Sequence, residues 1–312
     1  MTMMQTITRV NYLHFYLYLQ VTMTQIVGVG VNEASLVNTN SNVILEMWDL
    51  STRSVLSTTM LLVMTVAIVG NLLVITVILQ NRGMRTRTNM FLCSLAISDF
   101  LCAVFDMPFS LVTVLTGRWM FFEYEALCQL NGFLMPLFFI NSTHTLMYIA
   151  IHKYVSIRFP FSVVLTERRI LAMIAAAWAW AAVVSTLTVT GLSTVHHKLY
   201  TTQCGATIPK EAKAFSHLAL VLVTCYVVPL SVIIFCYSSL FHHIREHGDR
   251  LEMTSTTDRT AIYAQQRRIL STLFLVVVVF IVTWTPWGIY SIYLTIIKEE
   301  TQAGPLANPI VR

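Results

Sequence analysis

Residues 128–160 read CQLNGFLMPLFFINSTHTLMYIAIHKYVSIRFP, an apolar stretch bounded by a cysteine and a basic segment. Between residues 127 and 151 the chain has no Asp, Glu, Lys or Arg, and about 20 apolar residues are enough for a helix to cross a bilayer. Lipid offers no partners to polar side chains, so we expect the polar side of this helix to face other helices. The stretch therefore predicts the central helix of a membrane bundle. The polar side chains concerned are Asn131, Asn141, Ser142, Thr143, His144 and Thr145.

The composition of the whole chain indicates the same class of protein. Of its 312 residues, 56% are hydrophobic and 11% are charged, whereas about 25% of the residues in a soluble domain are charged. The formal net charge of +5 comes from Lys and Arg that lie between the apolar runs, which is typical of cytoplasmic loops. We therefore expect the chain to have the lipid bilayer as a partner, and no nucleic acid.

Six apolar runs predict membrane-spanning helices, and only Asp99 and Asp106 are charged within them. Arginine and lysine collect after the first, third and fifth runs, so the positive-inside rule places those three loops in the cytoplasm. The chain before the first run is then extracellular. The predicted fold is an all-α membrane protein, a transmembrane helix bundle with six full spans at about residues 55–80, 88–116, 127–151, 170–190, 214–241 and 269–297.

The two ends of the chain lie outside this bundle. Residues 1–54 are predicted to be an extracellular N-terminal segment, in which the uncharged residues 10–32 fit a signal peptide, a poorly ordered tail or an extra span. Residues 55–297 form the predicted transmembrane domain. The tail 298–312 has 15 residues interrupted by glycine and proline. A perfect helix of that length covers about 22 Å of a membrane core that is ~30 Å thick, so the tail predicts no complete seventh span.

A series of short motifs lies in these spans in a fixed order. They are Gly70-Asn71, Leu95-Ala96-Ile97-Ser98-Asp99, Trp119-Met120-Phe121, His152-Lys153-Tyr154, Trp178, Pro229, Tyr237, Phe280 and Thr283-Trp284-Thr285-Pro286. Each motif is weak alone, but in order and spacing the chain resembles the rhodopsin-like (class A) G-protein-coupled receptors. The resemblance implies a helix bundle of the seven-helix receptor type and a non-enzymatic, multi-pass receptor of the plasma membrane. Such a receptor senses an extracellular ligand and signals through a heterotrimeric G protein.

The resemblance also implies the position of the ligand site. It pairs Cys128 and Cys204 in a disulfide that ties the outer end of the third helix to the second extracellular loop. The pocket would lie between the outer halves of spans three, five and six, and its apolar, aromatic lining suggests a peptide or a lipophilic small molecule as ligand. Asp106 is either a polar anchor in this pocket or a group paired within the bundle. The predicted ligand-binding residues are Asp106, Met135, Phe139, Val221, Cys225, Trp284, Trp287 and Tyr290.

By the same resemblance, an activation switch runs through the middle of the bundle. Asp99 lies mid-span, where an unpartnered carboxylate costs at least about 2.5–3.5 kcal/mol. The family holds a sodium ion between such an aspartate and a serine, here Ser142, and oxygen ligands suit a hard cation. The alternative is a carboxyl group that is protonated or hydrogen-bonded to Asn71, and no other cofactor is expected. The predicted switch residues are Asn71, Asp99, Ser142, Pro229, Tyr237, Phe280, Trp284 and Pro286.

The cytoplasmic end of span three departs from the family pattern. His152-Lys153 stands where the family has an acid and an arginine, which form a pair that restrains the inactive state. Histidine is neutral or cationic, and lysine offers a point charge instead of a planar fork. We therefore expect a weakly restrained resting state or impaired coupling. The residues predicted to face the G protein are His152, Lys153, Tyr154, Arg158, Pro160, Phe161 and Arg267.

Two other functions remain open. The expected lack of a seventh span favours a truncated, non-signalling isoform that acts as a partner of a full-length receptor. A six-span transporter or channel would need a filter loop, paired broken helices or rows of charge inside the membrane, and the sequence shows none of these. An enzyme is not expected, because the spans contain no Ser/His or Asp/Asp pair and no cluster of metal ligands.

Overall fold

Five helices and two short hairpins make up the described part of the chain. The computed structural model describes residues 35–39, 42–46, 49–121, 124–159, 164–190, 195–197, 202–206, 212–252 and 278. Each of the five helices is long and apolar enough to cross a membrane. This finding confirms the predicted all-α transmembrane bundle. The helices are α1 (Leu50–Gln80), α2 (Arg87–Thr116), α3 (Glu125–Arg158), α4 (Glu167–Val189) and α5, which covers 212–252 and has the apolar section Phe215–His243.

One antiparallel hairpin precedes α1, and a second connects α4 to α5. β1 (Ser35–Thr39) pairs with β2 (Asn42–Glu46), and β3 (Val195–His197) pairs with β4 (Cys204–Ala206). Neither hairpin was predicted, because strands of three to five residues are too short for an alternating pattern to stand out.

Several predictions concern parts of the chain outside the described residues. The uncharged region 10–32 is one, and the sixth span at 269–297 is another, except for Val278, which lies in a helix. The tail 298–312, and with it the expected lack of a complete seventh span, is the third. All three stay predictions from the sequence.

α1 begins at Leu50, before the predicted start of the first span, because Asp49 caps it. The carboxylate of Asp49 accepts hydrogen bonds from the backbone N–H groups of Ser51 (3.1 Å) and Thr52 (3.2 Å) and from the Thr52 hydroxyl (2.6 Å). Hydrogen bonds from the Ser51 and Thr52 side chains hold the pKa of Asp49 well below its usual range. The cap supplies partners to the free N–H groups of the first turn, so polar residues can join the helix. The predicted boundary at residue 54 therefore falls inside α1.

Two arginines donate hydrogen bonds to backbone carbonyls at the C-terminal ends of α1 and α2. At one end, Arg53 of α1 donates a hydrogen bond to the carbonyl of Leu115 in the last turn of α2. At the other end, Arg85 donates to the carbonyl of Leu79 in the last turn of α1 (2.5 Å). The last carbonyls of a helix lack helical partners and carry partial negative charge, so each guanidinium stabilises the end it contacts. α2 stops at Gly117, whose φ of 73° favours glycine.

Prolines shape α2 and α5 in the same way. Each helix contains a π-helical segment, Cys102–Asp106 in α2 and Leu222–Val227 in α5, shortly before Pro108 and Pro229 respectively. Proline has no N–H for the carbonyl four residues earlier, and in both helices that carbonyl belongs to the π segment. Pro136, in contrast, lies inside α3, which remains α-helical on both sides of it.

α3 is longer at its C-terminal end than predicted. The apolar run ends at residue 151, but the helix continues to Arg158. The prediction followed the apolar core of the membrane, whereas helical hydrogen bonds continue wherever tertiary packing supports them. As a result, His152 and Lys153 are helical residues with fixed directions, and they do not belong to a flexible connection.

α3 is the central helix of the described bundle, as predicted. The polar side chains in the middle of α3 are buried. Its C-terminal half joins α2, α4 and α5 in one apolar cluster, which we call the inner cluster. Large apolar side chains on α1 point outward, for example Leu62, which is 62% exposed. These outward side chains are the ones that a bilayer would cover. The inner cluster comprises Phe91, Ile149, Ala150, Ile170, Ile233, Cys236, Tyr237 and Leu240.

Candidate functional site

The second hairpin is tied to the outer end of α3 by a disulfide. Cys128, in the first turn of α3, is bonded to Cys204, the first residue of β4, and their Cα atoms are 5.5 Å apart. The predicted disulfide is thereby confirmed. The two residues are 76 positions apart in the chain, so the bond closes a long loop and restricts the unfolded chain.

Close packing holds the same hairpin against the helix. Gly132 lies one helical turn after Cys128, and a Cβ atom built on it would lie 2.5 Å from Cγ1 of Val195 in β3. A β-branched side chain is stiff, so valine cannot easily move away. The missing side chain at Gly132 therefore lets β3 lie directly on the backbone of α3.

Trp119, between α2 and α3, supports the hairpin from another side. Its side chain is 1% exposed and stacks on His197 of β3, with ring centroids 5.0 Å apart and an angle of 19° between the planes. It also stacks on Phe109 of α2 at 6.2 Å. Trp119, Val195 and Cys204 form one buried cluster. The loop between α2 and α3 and the second hairpin are therefore packed as one unit.

A buried polar network lies beside the disulfide. The carboxylate of Asp106 accepts hydrogen bonds from Nδ2 of Asn131 (2.9 Å) and from Nε2 of Gln203 (3.1 Å). Oδ1 of Asn131 accepts a hydrogen bond from the backbone N–H of Cys204 (2.7 Å). Because Gln203 and Cys204 are consecutive, these contacts close a ring, which we call the outer polar ring. These contacts agree with the alternative in which Asp106 is paired within the bundle. Contact of Asp106 with a ligand stays a prediction.

Three of the predicted ligand-binding residues come together between α3 and α5. Phe139 of α3 and Val221 of α5 pack against a buried apolar cluster that contains Cys225. Met135, one turn before Phe139 on α3, is half-buried. Asp106 belongs to the outer polar ring instead. The remaining predicted ligand residues, Trp284, Trp287 and Tyr290, lie outside the described residues.

Asp99 and Ser142 meet in the middle of the bundle. The hydroxyl of Ser142 lies 3.3 Å from Oδ1 of Asp99 and 3.3 Å from Oγ of Ser98, so three oxygens converge there. Asn71, fully buried on α1, donates a hydrogen bond to the carbonyl of Ala67 (3.0 Å). Among the described residues, no three His, Cys, Asp or Glu side chains form a group that could hold a metal. The three converging atoms of Asp99, Ser98 and Ser142 are oxygens, the ligand type that hard cations prefer.

The N-terminal end of α2 and the C-terminal ends of α3 and α5 meet around two polar contacts. Lys153 donates a hydrogen bond from Nζ to Oγ1 of Thr88 on α2 (3.2 Å), and Nδ1 of His152 lies 3.4 Å from the same oxygen. Arg158, at the end of α3, lies 3.5 Å from Nδ1 of His243 on α5. His152 is buried, and Lys153 is half-buried. Thr88 thus contacts both residues that depart from the family pattern, His152 and Lys153.

Two tyrosines also link α3 and α5. The ring of Tyr154 lies 5.8 Å from the ring of Phe235, and Tyr237 is buried in the inner cluster. Pro229 follows the π segment of α5. The other residues predicted for the switch and for the G-protein face lie outside the part of the chain that the structure describes. They are Pro160, Phe161, Arg267, Phe280, Trp284 and Pro286.

Two residues of these sites, Thr88 and Gln203, were not predicted. Gln203 precedes Cys204 in sequence, so its place near the disulfide could be inferred, but its partner on α2 could not. Thr88 follows the N-cap of α2, where a threonine is ordinary and carries no functional signal. Asn131 was recognised only as a polar group that faces the bundle. In each case the missing information is the identity of the contact on another helix.

Comparisons with known proteins agree with this architecture. The family model described as "7 transmembrane receptor (rhodopsin family)" matches residues 70–309. The chain is 32% identical over 251 residues to melanopsin of Felis catus, a match that covers 76% of this chain and 50% of the relative. It is 30% identical over 240 residues to neuropeptide FF receptor 1 of Rattus norvegicus, covering 72% of this chain and 55% of the relative. The chain thus spans about half the length of these curated relatives.

A solved structure has the same arrangement of helices. The fold is similar to that in the crystal structure of squid rhodopsin, with a TM-score of 0.69 and 21% sequence identity. The match covers 89% of this chain and 79% of the other. At this identity the similarity establishes the fold, and it carries no conclusion about what the chain binds.

Proposed function

Because the chain belongs to the rhodopsin family of seven-transmembrane receptors, we propose that it binds an extracellular ligand and activates a heterotrimeric G protein. A member of this family is a multi-pass protein of the plasma membrane, and it is a receptor without enzymatic activity. The observation that carries the proposal is the course of α3. This single helix contacts the disulfide-bonded hairpin at one end and presents Lys153 at the other. A shift of such a helix would affect both ends together.

The proposed ligand site lies between the outer halves of α3 and α5. Its support is the apolar surface formed by Phe139 and Val221 over the buried Cys225. An apolar surface of this kind suits a lipophilic small molecule or an apolar side chain of a peptide. One relative is named as a receptor for neuropeptide FF, and that name supports the peptide alternative.

The proposed coupling site lies around Lys153 at the inner end. In the structure Lys153 is held by a hydrogen bond to the neutral hydroxyl of Thr88. Such a bond is weaker than the charge-assisted pair of an arginine and a carboxylate. We propose that Lys153 leaves Thr88 and contacts the G protein when the receptor is active. The resting state would then be restrained less strongly than in a receptor with the acid and the arginine.

Rebuilding the family's pair tests this proposal. The double substitution His152→Asp with Lys153→Arg is expected to lower basal G-protein activation roughly tenfold, because a charge-assisted pair contributes about 1.5–3 kcal/mol to the restrained state. The measurement is nucleotide exchange on the G protein in membranes that contain equal amounts of each chain at the cell surface.

A matched control keeps this result specific. Arg168 is exposed at the start of α4 on the same side of the membrane, so Arg168→Gln should leave basal exchange unchanged. Unaltered exchange in the double variant would refute the proposed role of Lys153. A chain that reaches the surface but activates no G protein, with or without the substitutions, would contradict signalling altogether.

We also propose that Asp99 and Ser142 hold a sodium ion. Their oxygens lie 3.3 Å apart and next to Ser98, and sodium would supply positive charge to a carboxylate that is buried between helices. The remaining ligands would be water or oxygens from other parts of the chain. The alternative, a carboxyl group that carries its own proton, needs no cation.

Replacing potassium by sodium in the buffer is therefore expected to raise the melting temperature of the purified chain by about 2–4 °C, the effect of roughly 1 kcal/mol of binding free energy. Asp99→Asn should remove this difference because it removes the charged ligand. Ser110→Ala, on the same helix, should keep it, since the Ser110 hydroxyl is buried without a hydrogen-bond partner. Equal melting temperatures of the unsubstituted chain in both salts would refute the site.

A further inference from the structure

We propose that Asp106 is a positioning residue for the second extracellular loop. Through Asn131 and Gln203, its carboxylate holds the chain around Cys204 in place at the outer end of α3. This restraint acts in addition to the disulfide. Its meaning for ligand access rests on the proposed function, but the restraint is a property of the chain and can be measured without ligand or G protein.

One backbone group decides which atoms of the outer polar ring donate hydrogen bonds and which accept them. The N–H of Cys204 can only donate, so Asn131 must present Oδ1 to it, at 2.7 Å. The amide nitrogen of Asn131 then faces Asp106, 2.9 Å from Oδ1 of the carboxylate. A group at position 106 must therefore accept a hydrogen bond. An ionised carboxylate, which only accepts, satisfies this requirement and accepts from Gln203 as well.

Burial makes this requirement strict. Asp106 and Asn131 are both 0% exposed, so bulk water does not replace a hydrogen bond that is lost between them. When a buried polar group loses its hydrogen-bond partner, no water replaces that partner. The full free-energy cost of removing the group from water then remains. Gln203 is half-buried and directly precedes Cys204, so its bond joins the hairpin to a buried acceptor in the bundle.

The location of Asp106 gives the restraint a route to the rest of α2. Asp106 is the last residue of the π segment Cys102–Asp106, just before Met107 and Pro108. A change of bend at this segment would move the carboxylate on which the loop depends. The carboxylate of Asp106 thus couples the position of the loop to the bend of α2.

Hydrogen exchange in the full chain, reconstituted in lipid nanodiscs, tests the proposal. Asp106→Leu is expected to speed exchange in peptides that contain the amide of Cys204 by about tenfold, because the leucine side chain offers no acceptor to Asn131 or to Gln203. Ser110→Ala is the matched control. It alters a buried polar residue of α2 one helical turn from Asp106, whose hydroxyl has no hydrogen-bond partner among the described residues, so exchange at Cys204 should stay unchanged.

A reversed pair separates positioning from general destabilisation. In Asp106→Asn combined with Gln203→Glu, the new asparagine can accept from Asn131 and donate to the new carboxylate, and the net charge is preserved. Slow exchange should therefore return. Gln203→Glu alone places two carboxylates face to face and should give exchange faster than in the unsubstituted chain. A merely structural defect caused by Gln203→Glu would not be repaired by a second change at position 106 of α2.

The outcomes divide clearly. Fast exchange in Asp106→Leu and in Gln203→Glu, with recovery in the reversed pair, supports the positioning role. Unchanged exchange in folded Asp106→Leu, or no recovery in the reversed pair, overturns it. If Asp106→Leu does not fold, Gln203→Ala decides: it removes the hydrogen bond to Asp106 at a half-buried site, and exchange at the rate of the unsubstituted chain overturns the proposal.

Discussion

Replacing Cys204 by serine is expected to lower the free energy of unfolding of the purified chain by about 2–5 kcal/mol. The disulfide joins positions 76 residues apart, and without it the unfolded chain gains the freedom that the closed loop removes. Cys128→Ser should have the same effect, and the double variant should be no worse, since all three lose one and the same bond. Thermal unfolding in detergent and the amount of chain at the cell surface measure the loss.

Cys93→Ser is the matched control for this experiment. Cys93 is a free, half-buried cysteine of α2, so its substitution removes a thiol but no cross-link. It should shift unfolding much less than either disulfide variant. Equal stability of Cys204→Ser and the unsubstituted chain would mean that the outer polar ring and the packing of the hairpin suffice without the bond.

Trp119→Ala is expected to destabilise the chain by about 3–5 kcal/mol, the usual effect of removing a large buried aromatic side chain. Trp119 is 1% exposed and fills the space between Phe109, His197 and the disulfide. Its loss would leave a cavity under the hairpin. The expected result is a lower melting temperature together with faster hydrogen exchange in β3 and β4.

The neighbouring residue provides the comparison for Trp119. Met120 is 44% exposed, so Met120→Ala removes a side chain of considerable size without opening a buried cavity. Its effect on unfolding should stay within about 0.5 kcal/mol, as for most surface substitutions. If the two alanine variants melt at the same temperature, Trp119 does not support the hairpin as its contacts indicate.

The substitutions of Cys204 and Trp119 both test how the second hairpin is held. The disulfide, the contact of Val195 with Gly132, the stack of His197 on Trp119 and the outer polar ring all hold the second hairpin. The ring differs from the others because it depends on charge and hydrogen-bond polarity and not on shape. Measurements in the same membrane system would show whether its contribution adds to that of the disulfide or overlaps with it.

Much of the fold could be predicted from the sequence because membrane solvation acts residue by residue. Long apolar runs must be helical in lipid, where the backbone has no other partners. The described helices agree with the predicted spans to within a few residues, except at two C-terminal ends. α5 continues to Glu252, beyond the predicted end at 241, and the other exception is α3. That helix continues past the apolar run to Arg158, because hydrophobicity marks the membrane and not the end of a helix.

The candidate sites were predictable to different degrees. Cys128 and Cys204 were paired correctly because few cysteines lie at helix ends and loops, and the resemblance assigned the pair. The contact between Ser142 and Asp99 also agrees with a predicted pair of residues. Thr88, in contrast, could not have been named as the partner of Lys153. It lies 65 positions away in the chain, and its residue type is common at the start of a helix.

Local composition was thus sufficient for the number and order of the described helices, since both follow from the cost of placing polar groups in lipid. The course of the hairpin over α3 and the partners of Asp106 depend on which side chains from distant segments come within hydrogen-bond distance. Those contacts follow from the packing of helices and a cross-linked loop. Only the folded arrangement of the chain determines them, because a hydrogen bond requires distance and direction that residue type alone does not specify.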